Sequence, residues 1–129
     1  MAGELILIVE DNEKNLKLAR DVLQFKGYRT LEARTAAESI ALAQAHRPHL
    51  ILMDIQLPGE DGVSALGRLK AEPGTASIPV IALTAFAMQA DRERFLRAGF
   101  DGYLVKPINI KEFPEQVRQF CERVHKNQK

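Results

Sequence analysis

The sequence predicts an α/β domain in which a doubly wound, five-stranded parallel sheet is flanked by five helices. Two patterns carry this prediction. Three short apolar runs are continuous rather than alternating and rich in Leu, Ile and Val, which is typical of strands buried on both faces of a parallel sheet. Helical patterns lie between the runs, and such alternation indicates right-handed crossovers with helices on both faces of the sheet.

The strongest strand predictions are Leu5–Val9 (LILIV), Leu50–Met53 (LILM) and Val80–Leu83 (VIAL). Tyr28–Ala33 and Tyr103–Val105 are weaker candidates because their apolar character is interrupted. A helical pattern follows each of the five runs, so the chain reads as a strand followed by a helix, repeated five times.

The helices are delimited by capping and stop residues. They are predicted at Glu13–Lys26, from Thr35 to about Arg47, at Val63–Ala71, at Phe86–Ala98 and in the C-terminal region. Gly27 is a favourable residue just past the first helix, and Thr35 and Glu38 form a capping box at the start of the second.

The start of the last helix is ambiguous because of Pro114. A helix that starts at Ile110 would lose one hydrogen bond at Pro114 and be kinked there, and the alternative is a helix that begins near Phe113. The predicted apolar face of this helix consists of Ile110, Phe113, Val117, Phe120 and Val124.

Composition restricts the class of protein. A chain of 129 residues, 46% hydrophobic and 27% charged, is expected to form one globular domain, residues 1–129, without an output domain. A net charge of +1 gives no field that would draw nucleic acid or a membrane surface. Cys121 is the single cysteine, no signal peptide is recognisable, and a reduced, cytoplasmic compartment is expected.

Polar side chains follow four of the five predicted strands. Glu10 and Asp11 follow the first strand, Asp54 the third, Thr84 the fourth and Lys106 the fifth. Because ligands of doubly wound sheets bind outside the carboxyl ends of the strands, we expect these groups to converge at one edge.

Three converging carboxylates stay ionised together only with a cation among them, and all-oxygen ligands suit Mg²⁺. Asp54, with Mg²⁺ and Lys106 neutralising charge, can then act as a carboxylate nucleophile toward phosphorus. Each group alone has a plainer interpretation: Asp11 as a helix cap, Glu10 as a solvated strand end, Thr84 as a turn residue. Their joint occurrence at separate strand ends favours a phosphoryl-transfer site.

With these residues in place, the chain from Leu5 to about Val124 resembles a receiver domain of two-component response regulators. It is especially similar to the single-domain regulators of the CheY and DivK kind, and the segment TAFAMQADRERFLRAGFDGYLVKPI is nearest to the DivK type. The resemblance implies a flavodoxin-like or CheY-like sheet with strand order 2-1-3-4-5.

The resemblance also implies roles for individual residues at the phosphorylation site. Asp54 would be the phosphoacceptor. Mg²⁺ would be bound directly by Asp11 and Asp54, through water by Glu10, and by the backbone carbonyl of Gln56. Lys106 would pair with the phosphoryl group.

A switch is implied in addition. Thr84 would hydrogen-bond the phosphoryl oxygen and move toward it, and the ring of Tyr103 would then turn inward. An ordinary half-buried strand aromatic is the alternative interpretation of Tyr103. The Lys106–Pro107 peptide bond is expected to be cis. Gln56 and Phe86 would flank the path of a hydrolytic water, and the apolar Phe86 predicts slow self-dephosphorylation.

The implied partners are a histidine kinase or histidine phosphotransfer protein, and a downstream protein that docks on the face formed by the fourth helix, fifth strand and fifth helix. Met88 is a candidate contact there, with core packing as the alternative. We expect a monomer or weak dimer that is not an enzyme toward other substrates.

Three other functions are alternatives for a chain of this composition. A haloacid-dehalogenase-type phosphatase would need a second acid where Gln56 stands. An adaptor that acts unphosphorylated would be expected to lack Asp54 or the acidic pair. A receiver module from a larger hybrid kinase or DNA-binding regulator stays open.

Overall fold

The computed structural model describes residues 3–85 and 88–127, with side chains for 3–85 and 88–122. The strands are β1 (Leu5–Val9), β2 (Arg29–Ala33), β3 (Leu50–Asp54), β4 (Val80–Thr84) and β5 (Gly102–Val105). The helices are α1 (Glu13–Phe25), α2 (Ala36–His46), α3 (Gly62–Ala71), α4 (Gln89–Ala98) and α5 (Phe113–Asn127).

The five strands form one parallel sheet in the order β2-β1-β3-β4-β5, which confirms the predicted fold class and topology. Strands β1, β3 and β4 form the centre, and their residues are almost entirely buried, as their continuous apolar character predicts. Alternate residues face opposite layers: Leu7 and Met53 pack in a cluster that includes Phe95 of α4, whereas Ile8 packs in a cluster that includes Phe113 of α5.

Two strands extend one residue further than predicted at their C-terminal ends. β3 includes Asp54 and β4 includes Thr84, so both polar side chains belong to the last residue of a strand. The weaker strand predictions were right in position and wrong by one residue at their start, since β2 begins at Arg29 and β5 at Gly102.

The helices differ from prediction mainly at their starts. Asn12 caps α1 by accepting the N–H of Asn15 at 3.0 Å, so Asp11 is not the helix cap that its alternative interpretation made it. α3 begins one residue earlier than predicted, after an Asp61 cap that accepts the Ser64 N–H. α4 begins at Gln89 rather than Phe86, and Phe86 lies outside the described residues.

The last helix begins at Phe113, which settles the ambiguity at Pro114. Pro114 lies in the first turn, where a missing N–H leaves no helical hydrogen bond unmade. The prediction that Ile110 belongs to the apolar face of this helix was wrong: it precedes α5 in a turn and its side chain is 58% exposed. Phe113 and Val117 are fully buried, as predicted.

Candidate functional site

Four of the predicted site residues meet at the carboxyl edge of the sheet. Glu10 follows β1, Asp54 ends β3, Thr84 ends β4 and Lys106 follows β5. Glu10, Asp54 and Thr84 are almost fully buried, with 2%, 3% and 1% of their surface exposed. Parallel strands bring their carboxyl ends to a common edge, so residues far apart in sequence become neighbours.

Lys106 lies between two of the carboxylates. Its ammonium Nζ donates to Asp54 Oδ2 at 2.9 Å and to Glu10 Oε1 at 3.1 Å. Burial lowers the pKa of Lys106, but the hydrogen bonds to Asp54 and Glu10 outweigh burial and raise the pKa overall. The main chain also fixes Lys106 in place. Its N–H donates to the Thr84 carbonyl at 2.8 Å, which continues the hydrogen bonding between β4 and β5 one residue past the end of β5. The Lys106–Pro107 peptide bond is cis.

Glu10 is held at both carboxylate oxygens. Besides Lys106, the main-chain N–H of Asn12 donates to Glu10 Oε2 at 3.2 Å. Burial raises the pKa of Glu10 to about 7, and the neighbouring Asp54 carboxylate adds to the increase. The solvated strand-end interpretation of Glu10 is therefore wrong, since desolvation disfavours its charged form.

Asp54 is also supported by the loop that follows it. The Gln56 N–H donates to Asp54 Oδ1 at 2.9 Å, and the Gly62 N–H donates to the Ile55 carbonyl at 2.8 Å. A Cβ atom on Gly62 would lie 2.5 Å from the Asp54 carbonyl oxygen. The first residue of α3 thus packs directly against the backbone that carries the Asp54 carboxylate.

Glu10, Asp11 and Asp54 form an acidic cluster that could hold a metal ion. Each places one carboxylate oxygen within 4.8 Å of the others, and Asp11 is solvent-exposed whereas the other two are buried. An oxygen-only set with one open side suits a hard divalent cation that keeps part of its water shell. The residues present therefore fit a magnesium ion by their chemistry and their mutual distance.

Tyr103 lies one layer away, on the face of the sheet that α4 covers. It is half-buried in β5, next to Ala82 of β4, and packs against the cluster that contains Phe95. The guanidinium carbon of Arg92 lies 5.2 Å from the centre of the Tyr103 ring.

Sequence reasoning missed three features of this region. They are the pairing of Glu10 with Lys106, the close approach of Gly62 to the Asp54 backbone, and the stacking of Arg92 on Tyr103. Gly62, just before the predicted third helix, was a usable signal for the close approach, because glycine is a common residue where the backbone must come close to another group. The other two depend on side-chain positions that no local pattern encodes.

With the geometry established, comparison with known proteins gives the class of this protein. The chain matches the response regulator receiver domain family over residues 6–118, and it belongs to that family. Its role is therefore that of a phosphoacceptor domain in two-component signalling, a family of signalling proteins rather than conventional enzymes. The family that matches is that of receiver domains and not that of haloacid-dehalogenase-type phosphatases.

Individual relatives agree with this class. The polar-differentiation response regulator DivK of Brucella anthropi is 46% identical over 115 residues, which cover 89% of this chain and 94% of that protein. The receiver domain of sensor histidine kinase PA1611 from Pseudomonas aeruginosa is 37% identical with a TM-score of 0.85, covering 94% of this chain and 99% of that one. That structure has a magnesium ion coordinated in its active-site cleft.

A putative response regulator from Chloroflexus aurantiacus has a TM-score of 0.87 and 27% identity, covering 93% of this chain and 98% of that one. Within the described residues, no helix is both long and apolar enough to cross a bilayer.

Proposed function

We propose that Asp54 is the phosphoacceptor of this receiver domain, taking a phosphoryl group from a phosphohistidine of a histidine kinase or phosphotransfer protein. The observation that carries the proposal is the 2.9 Å contact between Lys106 Nζ and Asp54 Oδ2 at the end of a buried strand. A buried carboxylate with one oxygen on an ammonium group is oriented and charge-compensated at the point where a phosphoryl group would be attached.

Lys106 and Thr84 would act on the phosphoryl oxygens. Phosphoryl transfer depends chiefly on positioning and on neutralising the equatorial oxygens, and Lys106 already lies within hydrogen-bond distance of Asp54. Thr84 ends the adjacent strand, and its carbonyl accepts the Lys106 N–H, so the two residues lie side by side at the same edge of the sheet. No general base is required, because a carboxylate attacks phosphorus directly.

Mg²⁺ is the proposed cofactor, held by the carboxylates of Asp11 and Asp54, by Glu10 through water, and by the Gln56 carbonyl. The support is the oxygen-only acidic cluster and the magnesium ion in the related PA1611 domain. Magnesium would supply charge neutralisation at the phosphoryl oxygens. Exposed Asp11 suits direct coordination of a hydrated ion, whereas buried Glu10 already has both oxygens engaged.

The test of the phosphoacceptor is Asp54→Asn, incubated with acetyl phosphate and Mg²⁺ and weighed by intact-protein mass spectrometry. Wild type should gain one phosphoryl group and the variant none, with Asp61→Asn, which alters a helix cap outside the cluster, as the matched control. Unchanged phosphorylation of the Asp54 variant would refute the assignment.

The output would be a protein-binding surface formed by α4, β5 and α5. Met88 and Leu96 at α4 and Val105 in β5 expose 73%, 50% and 39% of their surface, which supports the contact interpretation of Met88. Phosphorylation would reach this face through Thr84 and Tyr103 as a shift between two packings. Binding of partners to the unphosphorylated and beryllofluoride-treated forms, compared by pull-down, would test this output.

Slow hydrolysis of phosphorylated Asp54 is part of the proposal, since Phe86 cannot orient a water by hydrogen bonding. We expect a monomer or weak dimer in the cytoplasm, consistent with the free thiol of Cys121. The similarity to the PA1611 receiver favours one alternative, that the domain works as a module of a larger kinase or regulator. An immunoblot of the native cells would distinguish a stand-alone domain from a module of a larger protein by the mass of the band detected.

A further inference from the structure

The side chain of Arg92 has an unusual place in the fold. Arg92 is the fourth residue of α4, close to the positive end of the helix dipole, where a cation is disfavoured. The N-cap residue Met88 makes no side-chain hydrogen bond, and Asp91, the acidic residue of the first turn, pairs with Arg94. An arginine at this position lowers helix stability unless another interaction compensates.

The compensating interaction is the ring of Tyr103. The Arg92 guanidinium carbon lies 5.2 Å from the ring centre, within the distance at which a cation is attracted to the negative face of an aromatic ring. Its neighbours are engaged elsewhere: Arg94 pairs with Asp91 and Arg97 with Glu93. Over residues 3–85 and 88–122, Arg92 takes part in no ion pair.

We propose that Arg92 is a positioning residue for Tyr103, holding the partly buried ring in its present orientation and so opposing a further inward turn. This inference rests on the proposed role of Tyr103 as the switch. If the Tyr103 ring turned inward, it would move away from the Arg92 guanidinium. The stacking would then stabilise the present packing and not the inward one. Only such a difference between two states can shift their equilibrium.

The stacking also joins two elements of the proposed docking surface. Arg92 belongs to α4 and Tyr103 to β5, and their contact bridges the two at the start of the helix. Loss of the contact is expected to raise the inward-to-outward ratio about two- to fivefold, the range for an exposed cation–π pair. Basal affinity for the downstream partner should rise by the same factor, since only the competent fraction binds.

The test is ¹⁹F NMR of protein labelled with 3-fluorotyrosine. The chain contains two tyrosines, Tyr28 and Tyr103, so Tyr28→Phe assigns the spectrum. Arg92→Gln is compared with Arg94→Gln, a matched control on the same helix whose guanidinium stacks 5.0 Å from the ring of the buried Phe95.

In Arg92→Gln, the Tyr103 line should move toward its position in the beryllofluoride-activated wild type. Broadening of this line by a soluble paramagnetic agent should also decrease, because an inward ring is less exposed. The second readout depends on exposure and not on the charge removed next to the fluorine. Arg94→Gln should change neither.

An Arg92→Gln protein whose Tyr103 line and broadening match those of Arg94→Gln would overturn the inference, whatever beryllofluoride does. A wild-type Tyr103 line that does not respond to beryllofluoride, combined with a response to Arg92→Gln, would instead refute the proposed switch and retain Arg92 as the residue that positions the ring. The two failures are thus distinguishable.

Discussion

Lys106 Nζ donates a hydrogen bond of 2.9 Å to Asp54 Oδ2, across an interval of 52 residues in sequence. The contact forms because β3 and β5 both end at the same edge of the sheet, with β4 between them. Glu10 Oε1 accepts a second bond from the same ammonium at 3.1 Å. One ammonium group therefore contacts two buried carboxylates and partly offsets their mutual repulsion.

Lys106→Met should slow phosphorylation by acetyl phosphate at saturating Mg²⁺ by about 10- to 100-fold, the equivalent of one hydrogen bond to a charged group. Methionine keeps the length of the side chain and removes its charge. Lys70→Met is the control, because Lys70 Nζ donates to the Ala76 and Ile78 carbonyls in the loop before β4. Rates are measured by mass spectrometry over time, and equal slowing in both variants would contradict a specific role for Lys106.

Much of this site could be predicted because a strand end is a local feature of sequence. Asp54, Thr84 and Lys106 each follow an apolar run, and parallel topology alone brings such ends together. The start of α4 could not be predicted, because Phe86 and its neighbours carry no capping residue and continue the apolar pattern of the helix.

The pairing of Glu10 with Lys106 and the stacking of Arg92 on Tyr103 were equally inaccessible. Each depends on which rotamer a long side chain adopts in a crowded site, and sequence spacing says nothing about that choice. The burial of Glu10 could not be predicted either. Its position at a strand end was predictable from the sequence, but its desolvation depends on the residues that pack around it.

Arg47→Gly should stabilise the protein by about 0.5–1 kcal/mol. Arg47 ends α2 with φ of 47° and ψ of 66°, a left-handed conformation that costs a residue with a Cβ roughly 1–2 kcal/mol. Glycine removes this cost. Part of the gain is offset, because glycine gives the unfolded chain more conformational entropy to lose on folding. Urea unfolding checks the result, with Arg47→Ala as the control that keeps the Cβ; stabilisation by both variants would assign the effect to the lost side chain.

Gly62→Ala should destabilise the fold by about 1–3 kcal/mol, the usual range for overpacking. The new Cβ would lie 2.5 Å from the Asp54 carbonyl oxygen and 3.0 Å from the Ile55 Cα, and neither main-chain atom can rotate away. Displacing Asp54 should also slow its phosphorylation.

Gly67→Ala provides the control within the same helix. Nothing lies within 4 Å of a Cβ at Gly67, so alanine there should stabilise α3 by about 0.5–1 kcal/mol. Urea unfolding of both variants measures the contrast. Similar changes of the same sign at Gly62 and Gly67 would show that the approach to Asp54 is not tight in solution.

The pH dependence of stability should report on Glu10. Its pKa is raised from 4.5 to about 7 in the folded protein, first by burial and then by the neighbouring Asp54 carboxylate. The folded state therefore binds more protons than the unfolded state between these values. The contribution of Glu10 to the free energy of unfolding is fully present below pH 4.5 and is lost as pH rises through 7.

Glu10→Gln removes this titration and keeps the shape of the side chain. Measured with EDTA, the wild type should lose stability relative to Glu10→Gln by an amount of order 3 kcal/mol between pH 5 and pH 8, because one pKa unit corresponds to about 1.4 kcal/mol. Glu38→Gln, at an exposed helix start, is the control and should follow the wild type. The difference between wild type and Glu10→Gln cancels the carboxylates that do not interact with Glu10, so parallel curves for the two proteins across this range would contradict a raised pKa of Glu10 in the folded site.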